Sequence, residues 1–239
     1  MVEIREYLDL AGRSPFGVWR QLLDVPARKK VTTAIYRLGL GNFSNVKGVG
    51  GGVFECKIDF GHGYRVYFGK DGEQIVSSSP VEPKNGSSKT FKLQRNAGES
   101  TRQERSKEND MALTKDFRKT VQADARRDPA FRRGLLSEAL ESLLAGEVAL
   151  GKELLRDYIN ATVGFPTLAA ETKIHVKTLH QMFGPSGNPT ASKLFEIVAN
   201  LQRAEGVHLE VRSARDASRT RRLTPSRRTN RADGVRSSR

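Results

Sequence analysis

The stretch GNFSNVKGVGGGVFECKIDFGHGYRVYFG, residues 41–69, carries the most legible pattern in the chain. From Val53 to Phe60 the residues Phe54, Cys56, Ile58 and Phe60 alternate with Glu55, Lys57 and Asp59. Strict alternation of this kind predicts a strand with one apolar and one polar face. Gly61-His62-Gly63 then predicts a turn into a second strand, with Tyr64, Val66 and Phe68 on the core side and Arg65 and Tyr67 outside. A three-residue turn would set Lys57 near Tyr67 and Asp59 near Arg65, with Lys47 entering from the preceding loop. One account of that polar face is a solvated surface with an Asp59–Arg65 ion pair. The other is a site of converging cations and a phenol.

Upstream, Val2 to Leu8 predicts a strand. Ser14-Pro15 supplies an N-cap and a proline at the first helical position, so a helix should run to about Leu23. A second helix is expected from near Pro26, with Val31, Ala34, Ile35 and Leu38 at helical spacing, stopping at Gly39 and Gly41. The order strand, helix, helix, then the 41–69 run resembles the RelE/ParE toxin superfamily, in its HigB-like, phage-derived addiction module killer branch. The resemblance covers Val2 to about Val76. It implies an α+β domain with helices on a small antiparallel sheet. It also implies metal-independent cleavage of mRNA on the ribosome, in which the ribose 2′-hydroxyl attacks the adjacent phosphate and basic residues stabilise the transition state. ParE-like relatives act on gyrase instead. Arg65 matches a basic residue that such toxins set on the scissile phosphate. Lys47 and Lys57 are weaker matches, and Tyr67 shares their polar face. Glu55, Asp59 and His62 receive no role.

A sheet of this family should continue after Ile75-Val76 through an apolar strand, a glycine turn and a closing helix. Instead, residues 77–110 are rich in Ser, Lys, Glu and Asn and show no helical or strand period, as a flexible linker would. Back-translation offers a sharper reading. With the frame moved by one base after Val76, allowed codons spell a GGTKK turn and an amphipathic helix ending in W-x-x-Y-K, the ending this family lacks here. In the written frame, Lys107 to Met111 permits AAG GAG AAC GAC ATG, a ribosome-binding sequence before a start codon. Residues 77–110 are therefore read as a frame-shifted, disordered linker joining two adjacent genes. On this reading the first domain, residues 1–76, lacks its last strand and helix, which would expose a sheet edge and leave the nuclease inactive.

From Met111 the pattern is helical. Thr114 is expected to cap a helix to about Arg126, Asp128-Pro129 opens another, and Val148 to Ile159 forms a third. Residues 165–172, a turn at Lys173-Ile174 and residues 175–183 fit a helix-turn-helix held by Leu168, Ile174, Leu179 and Phe183. His175, Lys177, Thr178, His180 and Gln181 are then the candidates to reach DNA. The bland alternative is a helical bundle whose polar face meets only water. GPSGNPTASKLFEIVANLQ, residues 184–202, follows, with Thr190 as a cap. Residues 111–211 resemble the antidote partner of the killer toxin, a Cro/repressor-like antitoxin. The resemblance implies an all-α, operator-binding homodimer that neutralises the toxin by contact, with Val207 to Val211 adding a strand at the dimer interface.

The net charge of +14 divides into +3 for residues 1–76, +2 for 77–110, +1 for 111–211 and +8 for 212–239. Most of the excess therefore sits in an Arg-rich tail, which reads either as a disordered nucleic-acid-binding arm or as a read-through extension without a role. Operator binding would rest on the local placement of Lys173, Lys177 and Lys193. The single cysteine, Cys56, suits a reducing cytoplasm and packs in the core. No metal or cofactor is expected, and neither is a membrane span. The expected partners are operator DNA, ribosome-bound mRNA if the first domain is active, and the cognate toxin or antitoxin.

Overall fold

Ser14 accepts a hydrogen bond from the Gly17 N–H, and Pro15 opens helix α1, Pro15–Leu22. Asp24 caps α2, Val25–Gly39, in the same way through Ala27. Both helices cover one face of a sheet built from β1 (Glu3–Tyr7), β2 (Val46–Gly50), β3 (Val53–Ile58), β4 (Tyr64–Asp71), β5 (Gln74–Ser78) and β6 (Thr114–Asp116). The spatial order is β2-β3-β4-β5-β1-β6, with β1 and β5 parallel and the other pairs antiparallel. Phe16, Val31, Ile35 and Leu38 from the helices are buried, as are Cys56, Ile58, Val66, Phe68 and Ile75 from the sheet. The chain is α+β, and this computed structural model describes residues 2–71, 74–78 and 114–211. The expectations for residues 79–110 and for the tail from Arg212 lie outside that range.

Two expectations are corrected. The region after Met111 is not purely helical: Thr114 does not cap a helix but starts β6, which pairs with β1 at Arg5–Asp116, Glu6–Lys115 and Tyr7–Thr114. The cap falls to Asp116, whose carboxylate accepts the Arg118 N–H. The reason is the free edge of β1, whose unpaired backbone groups offer a template that a short segment can satisfy. Val207 to Val211 carries no strand within this chain, and the strand expected there is one formed with a second copy. The sheet also does not stop at Val76: Ser77 and Ser78, read as the start of the linker, belong to β5, which lies inside the sheet, paired on both sides, because the open edges of β1 and β4 supply backbone partners that polar side chains do not forbid.

After β6 come α3 (Phe117–Arg127), α4 (Pro129–Leu144), α5 (Val148–Ala161), α6 (Gly164–Thr172), α7 (Val176–Met182) and α8 (Ala191–Glu205). All belong to one unit with the sheet, Met1–His208; Leu209–Arg239 form the other. Helix α2 packs against α4 and α5, and its ring Tyr36 meets Phe117 of α3 at 5.8 Å between centroids. The seam is charged in one direction. Arg20, Arg28, Lys30 and Arg37 come from residues 2–71, while their partners Asp124, Asp128, Glu138 and Glu147 come from residues 114–211. Tyr36 donates its hydroxyl to Asp157 across the same seam. Burial, and the neighbouring Asp157 charge, push the Tyr36 phenol well above its ordinary range. Burial likewise raises the Asp157 carboxyl, against the pull of Arg118.

The deepest pair is Arg20–Asp124, both side chains nearly inaccessible. Arg20 also donates to Thr32 at 2.8 Å and lies 5.5 and 5.4 Å from the ring centres of Phe117 and Phe131. Removing one partner of such a pair strands the other charge in a low-dielectric interior. Asp124→Ala is expected to lower the unfolding free energy of the full chain by about 3 kcal/mol in chemical denaturation, and a loss below about 1 kcal/mol would show the pair to be dispensable.

Candidate functional site

The β3–β4 connection fixes the polar face of the sheet. It spans residues 59–63, with Ile58 opposite Tyr64, Lys57 opposite Arg65 and Glu55 opposite Tyr67. The turn expected at residues 61–63 alone is thus longer by two residues. Its shape comes from hydrogen bonds of Phe60 N–H to Ile58 O and Gly63 N–H to Phe60 O, with Gly61 at φ 58° and Gly63 at φ 85°. Left-handed backbone at both positions is affordable to glycine and strained for other residues. His62 sits at this turn against Tyr64, with ring centroids 4.6 Å apart.

The register change moves every predicted partner. Asp59 does not meet Arg65; it pairs with Lys57 at 2.7 Å. Arg65 donates its Nε to Glu55 at 3.2 Å, Tyr67 donates its hydroxyl to Glu55 at 2.8 Å, and Lys47 reaches the same carboxylate at 3.3 Å. Lys47, Glu55 and Tyr67 are cross-strand neighbours on β2, β3 and β4. Three of the four sequence-predicted catalytic residues therefore converge, and Lys57 stands beside them with its own counter-ion. The residue missed by the sequence reading is Glu55, the hub of the cluster. Its signal was the cross-strand register, which depends on counting the connection as five residues.

Glu55 is buried and Tyr67 nearly so, while Lys47 and Arg65 keep substantial exposure. Burial works against the ionised Glu55. The hydrogen bonds from Tyr67 and Lys47 and the charges of Lys47 and Arg65 outweigh it and hold the carboxyl below its ordinary range. Burial and the bond to Glu55 push the Tyr67 phenol up to about 12. At neutral pH the cluster therefore holds one carboxylate, two cations and a neutral phenol. Such a surface can orient and neutralise a phosphate once Arg65 and Lys47 turn from Glu55. Cys56, beneath this face, is raised to about 11 by burial, which suits packing and not nucleophilic chemistry.

The second predicted site comprises two short helices joined by a turn. Helix α6 ends at Lys173, whose φ of 55° turns the chain, and α7 follows. Leu168, Ile174, Leu179 and Phe183 are all buried, as expected. Of the five predicted DNA contacts, Lys177 and Gln181 are exposed and Thr178 is half-buried. His175 is the N-cap of α7, its Nδ1 accepting the Lys177 N–H at 3.2 Å. The His180 ring lies 4.2 Å from that of Phe165 while remaining exposed. Lys152 of α5 donates to the Gly184 carbonyl at 3.2 Å and so ties the following loop to the bundle. At Gly187 an added Cβ would lie 2.1 Å from the Gln181 carbonyl oxygen, so only glycine lets the loop close under α7.

Against known proteins, no family model matches the chain and no solved structure matches it. A 53-residue stretch is 45% identical to an uncharacterized protein of Haemophilus influenzae, covering 22% of this chain and 54% of that protein. The chain thus spans about half the length of that relative. Among the described residues no group of His, Cys, Asp and Glu is arranged to hold a metal, and no helix is long and apolar enough to cross a membrane.

The Glu55 cluster has a measurable sign. A carboxyl depressed in the fold contributes stability that is present above its unfolded pKa and lost as pH falls through the folded value. NMR titration of the Glu55 carboxyl is expected to give a midpoint below the ordinary 4.5, with Tyr67→Phe moving it upward; a midpoint at or above 4.5 would remove the cluster as described.

Proposed function

We propose that the chain is a type II toxin–antitoxin module carried in one polypeptide. Residues before the linker form a RelE-like, HigB-like toxin domain, and those after it an antidote domain that represses its own operator and neutralises the toxin by direct contact. The single observation that carries the reading is the one-way charge of the seam. The cations of Arg20, Arg28, Lys30 and Arg37 all lie on the toxin side, and the acids of Asp124, Asp128, Glu138 and Glu147 all lie on the antidote side. Two surfaces arranged for each other in this manner resemble partners evolved for recognition more than adjoining layers of one core.

The antidote half is assigned DNA binding through Lys177, Thr178 and Gln181, with Lys173 and Lys193 on phosphates and the histidines in supporting roles. Exposed Lys and Gln side chains on the second helix of such a motif are placed to reach phosphates and base edges. Two half-sites one helical turn apart would be read by a homodimer.

The toxin half is assigned no activity in this chain. A second reading, a self-inhibited ribosome-dependent mRNA endonuclease, is favoured by one observation: Arg65, Lys47 and Tyr67 converge on the sheet face opposite α1 and α2, and the carboxylate holding them belongs to the toxin half itself. In that chemistry the 2′-oxygen bonds to phosphorus as the bond to the 5′-oxygen breaks, and the 2′-proton passes to a base. Arg65 would neutralise the charge gathering on the phosphoryl oxygens.

Gel-shift titration of the full chain against DNA upstream of its own gene is expected to give a specific complex. Lys177→Ala with Gln181→Ala should weaken it at least tenfold, roughly the discrimination of one good side-chain pair to a base edge. Unchanged binding by that double variant would remove α7 as the reading element. Growth arrest on induction that Arg65→Ala abolishes would favour the endonuclease reading.

A further inference from the structure

Helix α2 presents cations beyond those its own packing uses. Lys29 lies 3.1 Å from Glu138 and 3.4 Å from Glu141, Lys30 lies 2.9 Å from Glu138 and 3.6 Å from Glu141, and Arg37 meets Glu147 through two hydrogen bonds of 2.8 Å. Lys30 and Arg37 are seven residues apart, two turns along one face, so they stand roughly 10 Å apart along the helix. Both line a cavity of about 180 Å³ left open between α2, the loop before β2 and β3. Lys57, Asn42, Ser44, Asn45 and the half-buried Phe60 share its wall, together with Asp59, the counter-ion of Lys57. Three cations, amide and hydroxyl groups and one aromatic ring around an unfilled space form the combination by which proteins hold single-stranded nucleic acid: charge along the backbone and a ring for a base.

The carboxylates on this row come from the antidote side. Glu147 grips Arg37 in the fork-to-fork geometry that guanidinium adopts with carboxylate and phosphate alike. The pairing is not sealed, since the Arg37 and Glu147 side chains are each 38% exposed and Glu141 is 53% exposed.

We propose that the Lys30–Arg37–Lys57 wall of this cavity is a phosphate-binding groove for single-stranded RNA, and that Glu138 and Glu147 of the antidote half, which hold Lys30 and Arg37 at its margin, act as surrogates for the RNA backbone. The cavity opens beside α2, and Lys57, opposite Arg65 in the β3–β4 register, is the wall residue it shares with the face that carries the Arg65 cluster. The inference rests on the toxin–antidote reading and adds to it a means of neutralisation: competition for substrate binding, with the reacting face left uncovered.

Because the surrogates are part of the chain, removing their charge should create affinity. The full chain, Glu147→Gln and the double variant Glu138→Gln/Glu147→Gln are compared by fluorescence anisotropy at low salt with a labelled single-stranded oligoribonucleotide, and separately with inorganic phosphate as competitor. The RNA site is then located by ultraviolet crosslinking and peptide mapping, which separates the groove from the Arg-rich tail. The double variant is expected to bind about tenfold more tightly than the parent, with a steeper salt dependence as two more phosphates are neutralised, and with crosslinks in residues 30–60. Glu147→Gln should give part of the gain, and adding Arg37→Ala should cancel it. Unchanged RNA affinity, crosslinks confined to residues 212–239, or a gain for inorganic phosphate without one for RNA would overturn the proposal. Should those results come with intact operator binding by the same protein, the toxin–antidote reading stands and only the mimicry fails.

Discussion

The burial of Arg20 is the constraint on which the rest of the structure depends. A guanidinium cannot shed its proton under ordinary conditions, so placing it at zero exposure obliges the fold to supply a counter-charge. Its own half offers Thr32 as an acceptor, and Glu6, whose oxygens make no hydrogen bond among the described residues. The hydrogen-bonded carboxylate is Asp124, 104 residues further along the chain. Burial lowers the Arg20 pKa, while the Asp124 and Glu6 charges pull it back up. Helices α1 and α2 are thereby committed on two faces, one to the sheet and one to α3, α4 and α5. The aromatic rings of Phe117 and Phe131 close around the same cation. The seam between the two halves consequently has the anatomy of an interface with a central arginine anchor and a rim of exposed pairs.

That arrangement accounts for the division of labour across the molecule. The helix face of the sheet is occupied by the seam, so the chemistry available to solvent is left on the opposite face and at the margins. There the Glu55 cluster holds Arg65, Lys47 and Tyr67 ready but internally compensated. The helix-turn-helix lies far along the chain from the sheet, hung on α5 through Lys152 and the loop at Gly184–Gly187. The exposed residues of α7 and the contacts to α1 and α2 thus lie on different helices of the same bundle: α7 for one, α3, α4 and α5 for the other.

Local signals were legible in the sequence because they are local. Ser14-Pro15 opens α1, the alternation from Phe54 to Ile58 gives β3, and Leu168, Ile174, Leu179 and Phe183 form the predicted small core of the helix-turn-helix. The register of β3 against β4 was not legible. A glycine pair marks where a chain turns but not how many residues the turn consumes, and two extra residues moved Arg65 from Asp59 to Glu55. Strand β6 was hidden because three residues, Thr114 to Asp116, carry too little pattern to outweigh a helical prediction. The seam was hidden for another reason. Arg37 and Glu147, or Arg28 and Asp128, look like ordinary solvated charges when each is read among its sequence neighbours, and their meaning appears only once 100 or more residues are folded together.

If the seam is a recognition surface between two separable partners, cutting the chain tests it most directly. A protease site placed within residues 90–100, outside the described structure, would be cleaved in the otherwise full chain and the product passed over a sizing column at low and high salt. The account predicts that the two fragments elute together at low salt, held by the Arg20–Asp124 anchor and the surrounding pairs, and that Asp124→Ala releases them at lower salt than the parent. Fragments that separate at low salt, or that aggregate once the covalent link is cut, would contradict it.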